Sequence, residues 1–313
     1  MTDPQLIEKY SNTLAKVLTG EKEIDLTWLN QTNDPKINPF KSSLSQLATK
    51  KKVDVISLLS LYSWQPPSFL ASFHLSNINK EPEKDKKKVE PLKFDKSFVE
   101  FLVENEKVRT SMFTATSKNF TDNPKCITGF PSVDLLLHLK NQFSENFQKL
   151  DPLLFKQYVA REWGGIWRYN SEIVVKDKNK SKVSVSATKF LSFQTPAEKF
   201  IFDSRVSWGL FLCLMEEKKG KSDDYPFPLQ GERSNLLNYL KKEVVVPKYG
   251  TFPCALSNKS YAIYNELITR TASELDDKIR EKRLDQLKLP NGTYSDNPQL
   301  IEVSLFVLGR AFF

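Results

Sequence analysis

Residues 184–217 read SVSATKFLSFQTPAEKFIFDSRVSWGLFLCLMEE, and their pattern decides the fold class. A short helix is expected over 188–194, beginning near Thr188 and Lys189. Pro196 then marks a turn, 200–202 form an apolar approach, and Asp203 stands at the mouth of a long apolar helix over 204–217. Because Ser204, Arg205 and Val206 follow it, Asp203 has the position of an N-cap. A carboxylate there accepts backbone N–H donors and meets the positive end of the helix dipole. The apolar approach suggests that one carboxylate oxygen faces a cleft holding little water. By position alone, a purely structural cap worth about 1 kcal/mol is the better account of Asp203, and the pattern around Lys189 reverses that preference.

Outward from this stretch the chain reads as mainly α with a small β element. Ile7, Tyr10, Leu14, Val17 and Leu18 recur at helical spacing over 1–20, and a second periodic segment covers 44–63. The charged stretch at 79–91 reads as a boundary or an exposed excursion, and we divide the chain into an N-terminal helical region, 1–93, and a helical domain, 94–313. Phe94, Phe98, Phe101 and Leu102 share one helical face. The clearest helix is PSVDLLLHLKNQFSENF at 131–147, with Pro131 before it and Ser132 placed to cap it; another begins at Asp151 and Pro152. A strand or hairpin is expected at 171–186, where Ile173, Val174 and Val175 precede a lysine loop and Val183 and Val185 alternate with serines. Further helical periodicity surrounds Leu236, Leu237 and Leu240. A β-branched patch at 244–246 ends at Pro247, and helices over 258–285 and 298–312 follow.

Composition narrows the function classes. An apolar fraction of 40% with 22 Phe argues against disorder along the whole chain. Cys126, Cys213 and Cys254 are an odd, widely spaced set, so no disulfide framework is expected. His74 and His138 are the only histidines, which nearly excludes a His-rich zinc site or a His-based relay, and no cofactor motif is present. No apolar run reaches membrane-spanning length, and MTDPQLIEKY lacks a signal peptide's apolar core. The expectation is a soluble cytoplasmic protein away from membranes, with a monomer favoured. The formal net charge of +8 suits a phosphate-bearing partner but equally suits a solvated lysine-rich surface. The lysines cluster at Lys84, Lys86, Lys87 and Lys88 and again at Lys176, Lys178, Lys180 and Lys182, both in loop-like surroundings.

The pattern T-K-x-L-x-F-x-x-P-x-x-F-x-x-x-D-S-R-V from Thr188 to Val206 resembles the catalytic stretch of helix-hairpin-helix DNA glycosylases. It is most similar to the divergent bacterial branch described as 8-oxoguanine-glycosylase-like, and 301–312, IEVSLFVLGRAF, looks like that branch's closing helix. The resemblance covers roughly 94–313. Lys189 matches the superfamily's lysine at the start of the second hairpin helix, and Asp203 matches its helix-capping aspartate. The superfamily's Gly-x-Gly turn has no counterpart here, since KSKVSVSA precedes Thr188. Either Lys176, Lys178, Lys180, Lys182, Ser184 and Ser186 take over the phosphate contact, or the chain does not bind DNA in the family's way.

What the resemblance implies is a DNA glycosylase: an enzyme that flips a nucleotide out of double-stranded DNA and cleaves the N-glycosidic bond. Asp203 would stabilise the oxocarbenium-like sugar as the base departs. Lys189 would attack C1′ and form a Schiff base if strand cleavage is coupled to excision, and its neighbours Phe190, Leu191 and Phe193 are apolar enough to desolvate an amine. A solvated first-turn lysine is the alternative. Arg205 suits a phosphate contact or a salt bridge. Trp163, Trp167 and Tyr169 suit stacking on the flipped base or core packing. Relatives of this branch are associated with bacterial defence, so a bulky modified pyrimidine in phage DNA is the first substrate class and an oxidised purine the second. A non-catalytic DNA-binding or interaction protein that keeps the fold is the rival, and a nuclease subunit is a weaker one.

Overall fold

A computed structural model describes residues 2–28, 49–62, 127–130, 132–134, 136–137, 140–141, 183, 185–217, 225–230 and 235–310, with the backbone alone at 186, 190, 193, 194 and 235. The described chain is mostly helical, with one two-stranded sheet.

Helix α1 (Asp3–Leu18) starts where Pro4 and the acidic Asp3 suit a first turn, and the Gln5 side chain accepts the Thr2 N–H at 3.1 Å. It ends at Thr19, after which Gly20 adopts φ +73°, a conformation that favours glycine. Its buried face is Leu6, Ile7, Tyr10, Leu14, Val17 and Leu18. Strand β1 (Ile24–Asp25) pairs antiparallel with β2 (Lys50–Lys51), Ile24 opposite Lys51. Helix α2 (Val55–Ser60) is capped by Asp54, whose carboxylate accepts the Ser57 N–H at 2.8 Å.

Helix α3 (Val185–Gln194) leads through a turn to α4 (Ser204–Leu214). Every residue from Val206 to Leu214 is buried, as expected of a helix apolar on all sides and therefore central. Next come α5 (Asn235–Tyr239), a π-helical turn (Leu240–Val245) and α6 (Val246–Tyr249). The long helix α7 (Asn258–Glu281), capped by Ser257, and α8 (Gln299–Arg310) complete the described elements. Helix α1 lies along α7 and touches α4; α2 packs on α8; α8 crosses α4. Residues from both sides of position 93 thus enter one apolar core with Trp28, Trp208, Phe200, Phe202 and Phe211 at full burial.

The α4–α8 crossing is antiparallel and unusually close. A Cβ at Gly209 would fall 2.0 Å from the Leu305 carbonyl oxygen, and one at Gly309 would fall 1.8 Å from that of Arg205. Only glycine lets the two backbones touch in this way.

Several elements differ from their sequence expectations. The sheet forms between 24–25 and 50–51; of the expected hairpin, 171–182 and 184 lie outside the described residues, while Val185 and Ser186 open α3. Val183 does make one backbone bond, donating its N–H to the Leu256 carbonyl at 2.7 Å, but the helix begins directly after it. The periodic stretch 44–63 is interrupted by β2, held where Leu26 donates its N–H to the Thr49 carbonyl. Positions 244–246 are helical, since the π turn accommodates Pro247, which lacks an N–H to continue an α ladder. Ser132 is already inside its helix; Phe130 supplies the first carbonyl acceptor, to Val133 and Asp134. The apolar helix at 204–217 ends at Leu214. The helix expected at 151–163 and the lysine run 84–88 lie outside the described residues.

Candidate active site

Asp203 occupies the N-cap of α4 with extended backbone angles, and its Oδ1 accepts the Val206 N–H at 3.0 Å. The residue is half-buried. What distinguishes it from an ordinary cap is the segment that delivers it. Between Thr195 and Asp203 the chain must pass from α3 to α4, and a loop buried on the way must satisfy its backbone groups with side chains. It does so with partners from three helices.

The Phe200 N–H donates to Asn265 Oδ1 at 3.0 Å, the Ile201 N–H to Glu302 Oε2 at 2.9 Å, and the Phe202 N–H to Thr188 Oγ1 at 3.1 Å. The Tyr261 hydroxyl donates to the Phe200 carbonyl at 3.0 Å, and the Tyr264 hydroxyl to the Ile201 carbonyl at 2.9 Å. Thr188 itself donates to the Val185 carbonyl at 2.7 Å, so one hydroxyl ties α3 to the approach segment. The Phe202 ring meets the Tyr264 ring edge-on, centroids 5.0 Å apart. Side chains of α3, α7 and α8 therefore fix the three residues before Asp203, and the carboxylate is carried on a clamped backbone.

Beneath this segment lies a buried ion pair. Lys140 is 0% exposed and Glu302 4% exposed, and Lys140 Nζ stands 3.3 Å from both carboxylate oxygens. Burial raises the Glu302 carboxyl above its ordinary range; Lys140 and the Ile201 N–H oppose that, and the nearby Asp203 charge adds to it. Burial also raises the Tyr264 phenol, with Glu302, Tyr261 and Asp203 adding to the shift. The arrangement presents one half-exposed carboxylate on a rigid support, with a second carboxylate held below it by a lysine.

The residues singled out in the sequence are distributed as follows. Asp203, Lys189 and Arg205 are described. Lys189 is half-buried on α3, directly after the Thr188 that binds Phe202, so α3 links the two matched positions through a single hydrogen bond. The Arg205 guanidinium lies over the Phe306 ring, 4.9 Å from its centroid. Ser186 is on α3 by its backbone. Lys176, Lys178, Lys180, Lys182, Ser184, Trp163, Trp167, Tyr169 and His138 lie outside the described residues. Trp208 is core, its Nε1 donating to the Gln230 carbonyl at 2.8 Å. Cys213 is buried and its thiol is pushed up to about 12 by burial, with Lys22 opposing; Cys254 is exposed.

Sequence reasoning passed over Glu302, Lys140 and the α7 side chains Tyr261, Tyr264 and Asn265. Two signals existed. Glu302 is the one acid within the apolar run LIEVSLFVLG, and Lys140 falls on the helical face of Val133, Leu136 and Leu137. A charge on a buried stripe is rare unless it is paired. Among the described residues no cluster of three or more His, Cys, Asp or Glu suits a metal ion, and no helix is long and apolar enough to cross a membrane. No known family, curated protein or solved structure matches the chain.

Proposed function

We propose that the chain is a DNA glycosylase of helix-hairpin-helix type, which extrudes a modified or damaged base from double-stranded DNA and cleaves its N-glycosidic bond. The observation that carries the reading is Asp203: a half-exposed carboxylate at a helix N-terminus, on a backbone clamped by five side chains. Electrostatic catalysis needs a group that does not reorganise as charge develops, and such clamping supplies it. As the C1′–N bond breaks, its electron pair leaves with the base, and positive charge grows on the sugar. Asp203 faces that charge. Water then adds to C1′ and its proton passes to Asp203 or to solvent, leaving an abasic site. Where excision is coupled to strand cleavage, the amine of Lys189 adds to C1′ in place of water and gives a Schiff base. Modified phage DNA in the bacterial cytoplasm is the favoured substrate.

A second reading has its own observation: Asp203 Oδ1 is engaged as a cap, which a non-catalytic DNA-binding protein would need equally. Asp203→Asn separates the two, because Asn caps as well as Asp. The expected outcome is unchanged thermal unfolding, with a loss of about 10²–10³ in excision rate, the scale of one preorganised electrostatic group. Excision is read as alkali-labile sites in modified phage DNA against unmodified DNA. Full activity in the variant would leave Asp203 as a cap only. Borohydride trapping of a covalent adduct with wild type, absent in Lys189→Gln, tests the lyase step.

A further inference from the structure

Glu302 on α8 makes two kinds of contact at once. Its Oε2 accepts the Ile201 N–H at 2.9 Å, two residues before Asp203, and both its oxygens stand 3.3 Å from Lys140 Nζ. Stability alone does not call for such a pair, because apolar side chains of similar volume commonly serve a buried position as well or better. What an apolar pair could not provide is an acceptor for the Ile201 N–H. The N–H groups on either side of it, those of Phe200 and Phe202, meet the neutral side chains of Asn265 and Thr188. Only Ile201 meets a carboxylate, and a hydrogen bond to an ionised acceptor is roughly twice as strong as a neutral one.

The helix that carries Glu302 is itself fixed against the helix that Asp203 caps. Leu305, one turn beyond Glu302, has its carbonyl oxygen 2.0 Å from where a Cβ of Gly209 would lie, and the Arg205 carbonyl oxygen is 1.8 Å from that of Gly309. Contact between the two backbones sets the spacing of α8 and α4 over the first turns of α4. From that fixed position the Glu302 side chain reaches the approach segment just before the cap, where Asp203 Oδ1 accepts the Val206 N–H at 3.0 Å. Lys140, 0% exposed, holds the carboxylate in turn.

We infer that Glu302 is a positioning residue for Asp203, acting through the Ile201 N–H, and that Lys140 serves to hold the Glu302 carboxylate in that place. The inference rests on the glycosylase reading for what the positioned carboxylate does; the positioning itself stands on the hydrogen bonds. A displacement of about 1 Å in a reacting group can lower a rate about 100-fold, so a tether two residues from Asp203 bears directly on its work.

The test compares two full-length double variants, Lys140→Met/Glu302→Leu and Lys140→Met/Glu302→Gln, with wild type. Both replace the charges with neutral side chains of similar volume, a change that buried pairs tolerate. Only Gln keeps an acceptor for Ile201. Amide hydrogen exchange is followed by NMR. In the Leu variant, protection at Val206, whose N–H reports the Asp203 cap, is expected to fall about 10-fold further than at Leu267 and Leu275 inside α7. Its single-turnover excision on modified phage DNA is expected to fall about 10- to 100-fold, with unchanged affinity for a duplex bearing an uncleavable tetrahydrofuran abasic analogue. The Gln variant is expected to restore both. A pair that only stabilises the fold would shift Val206 and α7 together. Equal Val206 protection in the two variants would overturn the positioning role, and excision by wild type would then leave the glycosylase reading standing. Selective loss at Val206 in a protein whose wild type excises nothing would remove the glycosylase reading and keep the positioning role. If the Leu variant does not fold, wild type decides alone: comparable protection at Ile201 and Val206 supports the role, and a Val206 amide exchanging freely beside a protected Ile201 overturns it.

Discussion

Glu302 and Lys140 carry charge into a place where neither could stand alone. Removing one partner of a buried pair strands the other, and the cost is typically about 3–5 kcal/mol. Glu302→Ala is expected to fall in that range by urea denaturation, because it takes the carboxylate from the Lys140 ammonium and the acceptor from the Ile201 N–H together. The double variant Lys140→Met/Glu302→Gln is expected to recover most of the loss, since Gln keeps an acceptor for Ile201 and no charge remains to solvate. If the double variant is as unstable as the single one, the pair is not the reason for the loss. At this scale the sequence was readable where a residue acts through its own neighbours. Asp203 could be recognised as a cap because Phe202 before it and Val206 after it mark the start of an apolar helix. Glu302, Lys140 and Asn265 act on a backbone far along the chain, and no local pattern announces where a distant side chain will donate.

The α4–α8 crossing makes the opposite prediction from helix propensity. In an exposed helix, Gly→Ala stabilises by roughly 1 kcal/mol. At Gly209 or Gly309 the added methyl would sit inside a carbonyl of the facing helix, and that neighbour is backbone, which cannot swing aside. Gly309→Ala and Gly209→Ala are each expected to destabilise by about 1–3 kcal/mol or more, read as a lowered thermal midpoint. An unchanged or raised midpoint would mean that the helices are not in contact there. Helices α1, α4, α7 and α8 were legible as elements because their apolar stretches are long. The short β pairing was not. The valine-rich stretches at 183–185 and 244–246 carry strand-like composition but are helical at Val185 and at 244–246, whereas β1 and β2 are two residues each and include Asp25, Lys50 and Lys51. Their pairing is decided by the elements around them, and strand propensity contributes little at that length.

Across the whole molecule, burial acts on many hydroxyls and one thiol in the same direction. Tyr225, Tyr264, Tyr261 and Tyr294 are all raised by burial, Tyr249 to about 12 and Cys213 to about 12. Each of these groups holds its proton in the native state at a pH where the unfolded chain releases it. Stability is therefore complete below the ordinary thiol and phenol range, near 8.5 and 10, and falls as pH climbs towards 12. Each group contributes about 1.4 kcal/mol per pH unit above its unfolded pKa, so the summed loss is steep. A cooperative alkaline unfolding between pH 10 and 12 is expected, with tyrosinate absorbance rising together with the loss of helical circular dichroism. Tyrosinate appearing well before the helices melt would contradict the burial of these rings. The overall class, mainly helical with a small sheet, could be read from periodicity and turn residues. The convergence of Thr188, Asn265 and Glu302 on the backbone before Asp203 could not, since it depends on which helices cross.

That convergence has a temporal side. Helix α1 leaves the ribosome long before α7, the helix that covers its apolar face, so the nascent chain must carry Leu6, Tyr10 and Leu14 uncovered while the intervening sequence is made. Slow formation of this distant contact follows from the pairing of α1 with α7. The backbone that carries Asp203 likewise gains its clamp only after α7 and α8, which supply Asn265 and Glu302, have been made.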